Sequence, residues 1–160
     1  MAKAKHAIPE GLTTITTMLS IDGCTEAIEL YKKAFGAVEI ARAADPSGQK
    51  IWHAVIRIGN AQMFVNDIFP EMGPSAAIPS AGRNWLYFED CDAAYRRAID
   101  AGMTSDQPPT DMFWGDRHAR VSDKFGNAWA IATHTEDLTP AEIQARQDAF
   151  VAEMAKQHQK

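Results

Sequence analysis

IRIGNAQMF, residues 56–64, is echoed by DKFGNAWAI, residues 123–131. The shared Gly59-Asn60-Ala61 and Gly126-Asn127-Ala128 lie 126 − 59 = 67 residues apart. The same offset pairs Cys24 with Cys91, Gly23 with Asp90 and Ala27 with Ala94, and brings Tyr31–Ala34 over Ala98–Ala101. One offset serving three separated segments marks an internal duplication, and such a repeat decides the fold before any single element does. The two units run over residues 12–68 and 82–134, with a C-terminal helix over 139–157.

Each unit reads strand, helix, then three strands. Thr13 to Ile21 alternates, with Ile15, Leu19 and Ile21 on one face. Thr25 to Phe35 places Ala27, Ile28, Tyr31 and Ala34 at helical spacing and stops at Gly36. Val38 to Ala43 is a strand ending in the turn Asp45-Pro-Ser-Gly48, and Ile51–Ile58 with Ala61–Asn66 form a hairpin. In the second unit Asn84–Phe88, Arg117–Ser122 and Ala128–Thr133 read as strands and Asp92–Ala101 as a helix. Thr104–Trp114, interrupted by Pro108-Pro109, holds a short or irregular strand. Thr139-Pro-Ala-Glu142 is a capping box opening the last helix, whose apolar stripe is Ile143, Phe150, Val151 and Met154. The expected architecture is α+β: tandem βαβββ units whose eight strands form an open, curved mixed sheet.

Sixteen Lys and Arg against 21 Asp and Glu give a net charge of −5 over 160 residues, which disfavours nucleic acid and anionic lipid as partners. The longest apolar run, Ala128–Ala132, is too short to span a bilayer, so no membrane partner is expected. Met1–His6 is basic with no apolar core after it, and a cytoplasmic address is the expectation. Cys24 and Cys91 are too few for a disulfide framework or a zinc site; at helix starts they fit packing or a lowered thiol pKa. No nucleophile elbow or phosphate-binding glycine loop is present.

The chain resembles the vicinal oxygen chelate superfamily of glyoxalases, bleomycin-resistance proteins and dioxygenases, and within it the PhnB-like branch. The phrases that carry the resemblance are AIELYKKAFGA (27–37), WHAVIRIGNA (52–61) and FWGDRHARVSDKFGNAWAIATH (113–134). IPEG (8–11), FPEMG (69–73) and EDLTPAE (136–142) add to it. In metal-dependent members of that family, His, Gln or Glu fills four slots that fall here on Thr16, Met63, Arg83 and Ala130. None of these is a usual ligand of a divalent ion, so no metal and no other cofactor is expected. A residual metal hypothesis uses His53 and His118, which lack a carboxylate at a supporting spacing. The resemblance also implies a homodimer, to which exposed Phe69, Met72 and Ile78 of the linker would contribute.

Period-two alternation tells which side chains line the concave side. With Trp52, Ala54, Ile56 and Ile58 under the helices, His53, Val55 and Arg57 face the cavity. Ala119 and Val121 inward leave His118, Arg120 and Ser122 facing it, and Leu86 and Phe88 inward leave Arg83, Trp85 and Tyr87. Ala128, Ala130 and Ala132 leave room, and Phe113 and Trp114 close over the top. A planar, anionic small molecule fits such a cationic, aromatic lining. Each residue also has a plainer use. Trp85 and Tyr87 fit between the halves or at a dimer seam, His53 fits as a satisfied strand residue, and the arginines fit as ion-pair partners of Glu89, Asp116 or Asp123. His134 and His158 read as surface residues. Two functions stay open: a metal-free binding protein of the bleomycin-resistance type, or an enzyme of the same superfamily, a lyase or dioxygenase. The enzyme would be metal-dependent or would use His53 or His118 as acid and base.

Overall fold

The computed structural model describes residues 8–70 and 83–157. In chain order the elements are β1 (Met18–Ile21), α1 (Cys24–Phe35), β2 (Val38–Ala44), β3 (Ile51–Ile58), β4 (Ala61–Asp67), β5 (Arg83–Tyr87), α2 (Cys91–Asp100), β6 (Thr104–Asp111), β7 (Asp116–Ser122), β8 (Ala128–His134) and α3 (Pro140–Gln157). The fold is α+β. Its strands form two four-stranded sheets of matching order, β1-β4-β3-β2 and β5-β8-β7-β6. The pairs β1/β4 and β5/β8 are parallel and the rest antiparallel, so both sheets are mixed.

The apolar spacing of α1 buries Cys24, Ala27, Ile28, Tyr31, Ala34 and Phe35 along one stripe. Gly36, left-handed at φ 67°, ends the helix by donating its N–H to the Lys32 carbonyl. Helices α1 and α2 meet, and Arg97 Nε donates to the Ala34 carbonyl at 2.8 Å. The core runs through both units: Tyr31 and Phe35 of α1 lie 4.9 and 4.8 Å, ring to ring, from Trp129 of β8.

Four expectations are corrected. β1 is shorter than Thr13–Ile21, and Ile15 is 86% exposed rather than inward. The Thr16 hydroxyl donates to the Thr13 carbonyl at 3.0 Å, a local turn that competes with the strand. Trp52 is half exposed, and Ile51 takes the inward place instead. The reason is a register shift: Ala43 pairs with His53 but Ala44 with Ile51, so Trp52 is the extra residue of a bulge and the alternation flips there. Phe69 is buried under the Lys50 ammonium, 5.0 Å from its ring, not exposed; Met72 and Ile78 lie outside the described residues.

The fourth correction concerns the repeat. Leu19 sits opposite Val65 and Leu86 opposite Ile131, an offset of 131 − 65 = 66 on the last strand. The first hairpin closes from Ile58 to Ala61, whereas the second runs from Ser122 to Ala128. The longer turn moves the Gly-Asn-Ala match out of structural register by one residue. Met63 therefore pairs with Ile56 on the helix-covered face, while Ala130 pairs with Arg120 on the concave one.

Candidate functional site

The second sheet carries a cluster of polar and aromatic side chains on the face turned away from the helices. Its helix side takes Leu86, Ala119, Val121, Trp129 and Ile131 into the core. Alternation then puts Trp85 and Tyr87 of β5, Asp116, His118 and Arg120 of β7, and His134 of β8 on the other face. Strand β8 separates β5 from β7, so residues across it stand about 10 Å apart at the backbone. Between them β8 presents only Ala130 and Ala132, both fully buried. Small side chains there let the flanking rings lean together: Trp85 stacks on His118 at 4.7 Å and 28°. Trp114, from the loop before β7, closes edge-on over His118 at 5.8 Å and stands 6.4 Å from Trp85.

His118 is 4% exposed, and both its ring nitrogens, together with Arg120 Nε, are buried without a hydrogen-bond partner among the described residues. Burial lowers the His118 pKa, and the neighbouring Arg120 and Arg83 guanidiniums push it the same way against Asp116. The imidazole is thus a neutral ring in a cationic setting, able to donate at one nitrogen and accept at the other. Unpaired buried donors cost of order 1–3 kcal/mol each, which a ligand acceptor would recover. Beside Trp85 a cleft of about 290 Å³ opens between the two sheets, lined by Thr17, Gln62, Met63 and Arg83 among others. A wider depression of about 540 Å³ follows β2, but its Lys32, Glu39 and Arg42 pair with one another.

Below the rings lies Asp116, 3% exposed. Its Oδ2 accepts the Tyr87 hydroxyl and the Trp114 indole N–H, each at 3.0 Å, and its Oδ1 meets His134 Nδ1 at 2.9 Å. The other nitrogen, His134 Nε2, meets Asp137 Oδ1 at 3.0 Å. Desolvation and the Asp116 contact raise the Tyr87 pKa and keep it a phenol. Hydrogen bonds to Asp116 and then Asp137 raise that of His134. Sequence reasoning missed both Asp116 and His134 as parts of the site. The signal was present: β7 and β8 extend one residue past the expected Arg117 and Thr133, and the same alternation carried that far puts both on the concave face.

Not every expected lining residue joins the cluster. Arg83 and Arg120 are close enough to act on His118, but His53 packs on Phe64 at 4.7 Å within the first sheet, and Arg57 bonds the Gly59 carbonyl at 2.9 Å. Among the described residues no ion pair joins Arg57, Arg83 or Arg120 to Glu89, Asp116 or Asp123. Cys24 and Cys91 are buried thiols with pKa values pushed up, to about 12 and about 11, chiefly by desolvation, so the packing role holds over a reactive one. The residues at the four metal slots do not fit a divalent ion. Arg83 is cationic, Thr16 spends its hydroxyl on a turn, Ala130 has no ligand atom, and Met63 faces the core while its concave neighbour Phe64 offers no ligand atom either. Among the described residues no three His, Cys, Asp or Glu side chains gather as a ligand set.

A family model described as the Glyoxalase/Bleomycin resistance protein/Dioxygenase superfamily matches residues 14–131. An uncharacterized protein of Mycobacterium bovis is 38% identical over 133 residues, 79% of this chain and 87% of that one. Among solved structures, a glyoxalase/bleomycin resistance protein/dioxygenase family enzyme from Burkholderia phytofirmans superposes with a TM-score of 0.61 at 16% identity, covering 74% of this chain and 96% of that one. The PhnB protein from Bacillus cereus does so with a TM-score of 0.59 at 15% identity, covering 76% and 99%. At these identities the two structures share the fold.

Proposed function

The chain belongs to the glyoxalase/bleomycin resistance protein/dioxygenase superfamily, and from that premise we propose that it is a metal-free binding protein for a planar, anionic organic molecule. The observation that carries this reading is the Trp85–His118 stack under Trp114, where the His118 nitrogens and Arg120 Nε are buried without partners among the described residues. Aromatic faces suit a flat body, and guanidinium forks suit a carboxylate or sulfonate. The ligand's ring lies along Trp85 and Trp114, and its acidic end lies between Arg83 and Arg120. Two copies of the chain form the working unit, with exposed Val38, Ile40, Trp52, Trp85 and Tyr87 supplying apolar surface for the contact. Two free, buried cysteines suit a reducing, cytoplasmic setting.

The test compares 1-anilinonaphthalene-8-sulfonate with its neutral parent, N-phenyl-1-naphthylamine, by fluorescence titration. The sulfonate should bind more tightly. Arg120→Ala should weaken it by roughly tenfold, the loss of one charged hydrogen-bond partner, while leaving the neutral compound nearly unchanged. Trp85→Ala should weaken both. Tighter binding of the neutral compound, or an acid preference undiminished by Arg120→Ala, overturns the charge assignment. Light scattering that returns 17.6 kDa at micromolar concentration overturns the dimer.

A further inference from the structure

We propose that Asp116 and His134 form a pH-responsive switch beneath the ring cluster, in which protonated His134 strengthens the binding of a planar anion. The inference rests on the binding reading above and concerns the regulation of that same site. Asp116 and His134 are cross-strand neighbours at the ends of β7 and β8. Asp116 touches two walls of the cluster at once, through the Tyr87 hydroxyl and the Trp114 indole. It is therefore a positioning residue for both rings, and His134 is its titrating counter-charge.

The groups that face His134 are Asp116 from β7, Asp137 from the segment after β8 and, through Asp116, the Tyr87 phenol of β5. Arg146 of α3 is engaged by Glu136, two residues after His134, at 2.7 Å. Protonated, the imidazole donates from both nitrogens and satisfies both carboxylates. Neutral, it carries one N–H and can satisfy only one. Asp137 is fully exposed and turns to water, whereas Asp116 is 3% exposed and cannot. The one N–H of the neutral ring therefore stays on Asp116, and what Asp116 loses is the imidazolium's positive charge, at a distance where Asp116 already acts on His118. An anion on the ring cluster then meets an Asp116 charge that the ring no longer offsets. The direction follows: affinity for an anion is high on the acid side and falls as pH rises through the His134 titration. Because His134 is half exposed, solvent screens the coupling, and the expected change is about five- to tenfold, at the low end of coupled sites.

The probe is again 1-anilinonaphthalene-8-sulfonate, whose sulfonate stays ionised throughout, titrated from about pH 6.5, above the lowered His118 titration, to about pH 8.5. Wild type should lose about five- to tenfold in affinity across that range. His134→Gln and the isosteric Asp116→Asn should each give a flat profile, and the neutral N-phenyl-1-naphthylamine should be flat in all three proteins. A flat wild type, a slope retained in His134→Gln, or a neutral probe that follows the same slope overturns the switch. Failure of the sulfonate to bind at any pH is a different result and overturns the binding reading. The switch is then read in the ligand-free protein from the Trp114 indole N–H resonance, identified by its loss in Trp114→Phe. If that resonance moves along the His134 titration in wild type but not in His134→Gln, the switch stands without the ligand; if it stays still, the switch is refuted too.

Discussion

Tyr31→Phe tests the seam between the two units. The Tyr31 hydroxyl donates to Asp123 Oδ2 at 2.7 Å, from α1 of the first unit to the β7–β8 turn of the second. Asp123 is 7% exposed and also takes Trp129 Nε1 at 3.2 Å, Asn127 Nδ2 at 3.1 Å and the backbone N–H groups of Phe125 and Asn127 at 3.0 and 2.9 Å. Burial and the adjacent carboxylate push the phenol's pKa well up, so it remains a donor at any ordinary pH. A hydrogen bond to a charged acceptor nets about 1.5–3 kcal/mol. Asp123 keeps its other donors and the ring keeps its packing on Phe35 and Trp129, so the expected loss is about 2 kcal/mol, in the lower half of that range. With a urea dependence of about 2 kcal/mol per molar, the unfolding midpoint falls by about 1 M. The assay is equilibrium urea unfolding at fixed protomer concentration, because association shifts apparent stability. A midpoint shift below about 0.2 M, equivalent to about 0.4 kcal/mol, would refute the view that this carboxylate holds the units together.

Asp67→Asn should cost about 2–3 kcal/mol, lowering Tm by roughly 5–10 °C, because the carboxylate accepts Gly23 and Cys24 N–H on one oxygen and Ile51 N–H on the other, and an amide can serve only one side; calorimetry checks it. Cys24 and Cys91 should resist iodoacetamide in the native protein at pH 8 and react on unfolding, and mass spectrometry showing prompt native labelling would contradict their burial. The His134 pKa is raised in the folded state, so its stabilising contribution is present below the unfolded value and lost as pH rises through the folded one. The Tm gap between wild type and His134→Gln should therefore be wider at about pH 5.5 than at about pH 8.5. Ala132→Leu should drive Trp85 and His118 apart, costing about 1–3 kcal/mol by overpacking and weakening the sulfonate probe in fluorescence titration.

The order of elements was legible because each half repeats a simple grammar of helical spacing, alternation and glycine stops. β3 came out residue for residue, since its turns at Gly48 and Gly59 frame an apolar run. Trp52 did not, because a bulge is a property of the pairing with β2 and leaves no mark in β3 alone. The 67-residue offset located the units but misplaced Met63, since a turn that lengthens in one copy shifts everything after it by one face. Alternation put Arg83, Trp85, Tyr87, His118 and Arg120 on one face of the second sheet, and the strand registers place them there. His53 and Arg57 were assigned to the same lining on the assumption that both halves face one cavity, and neither joins the ring cluster. Asp116 and His134 were lost at strand ends, where sequence boundaries are least secure.

The halves have diverged in what the carboxylates Asp67 and Asp116 serve, and that divergence supports the site proposed on the second sheet. In the first unit Gly23, left-handed at φ 83°, begins α1 with no side chain to cap it. Asp67 at the end of β4 supplies the missing acceptor and ties down Ile51 as well, so its charge is consumed by backbone N–H groups. In the second unit Asp90 occupies the repeat position of Gly23 and caps α2 itself, accepting the Ala93 N–H at 2.8 Å. The end of β8 is thereby released from capping, and the Thr133 hydroxyl there donates to the Phe88 carbonyl at 2.8 Å. Of the two buried acids of this half, Asp123 holds the β7–β8 turn and the seam, whereas Asp116 stands on the concave face and is spent on side chains: Tyr87, Trp114 and His134. A carboxylate held by backbone groups, as Asp67 is, serves to hold the helix start and the strand beside it. One held by side chains that border a cavity couples its own charge state to whatever those side chains touch, which is the reason for proposing the binding site on the second sheet rather than on its duplicate.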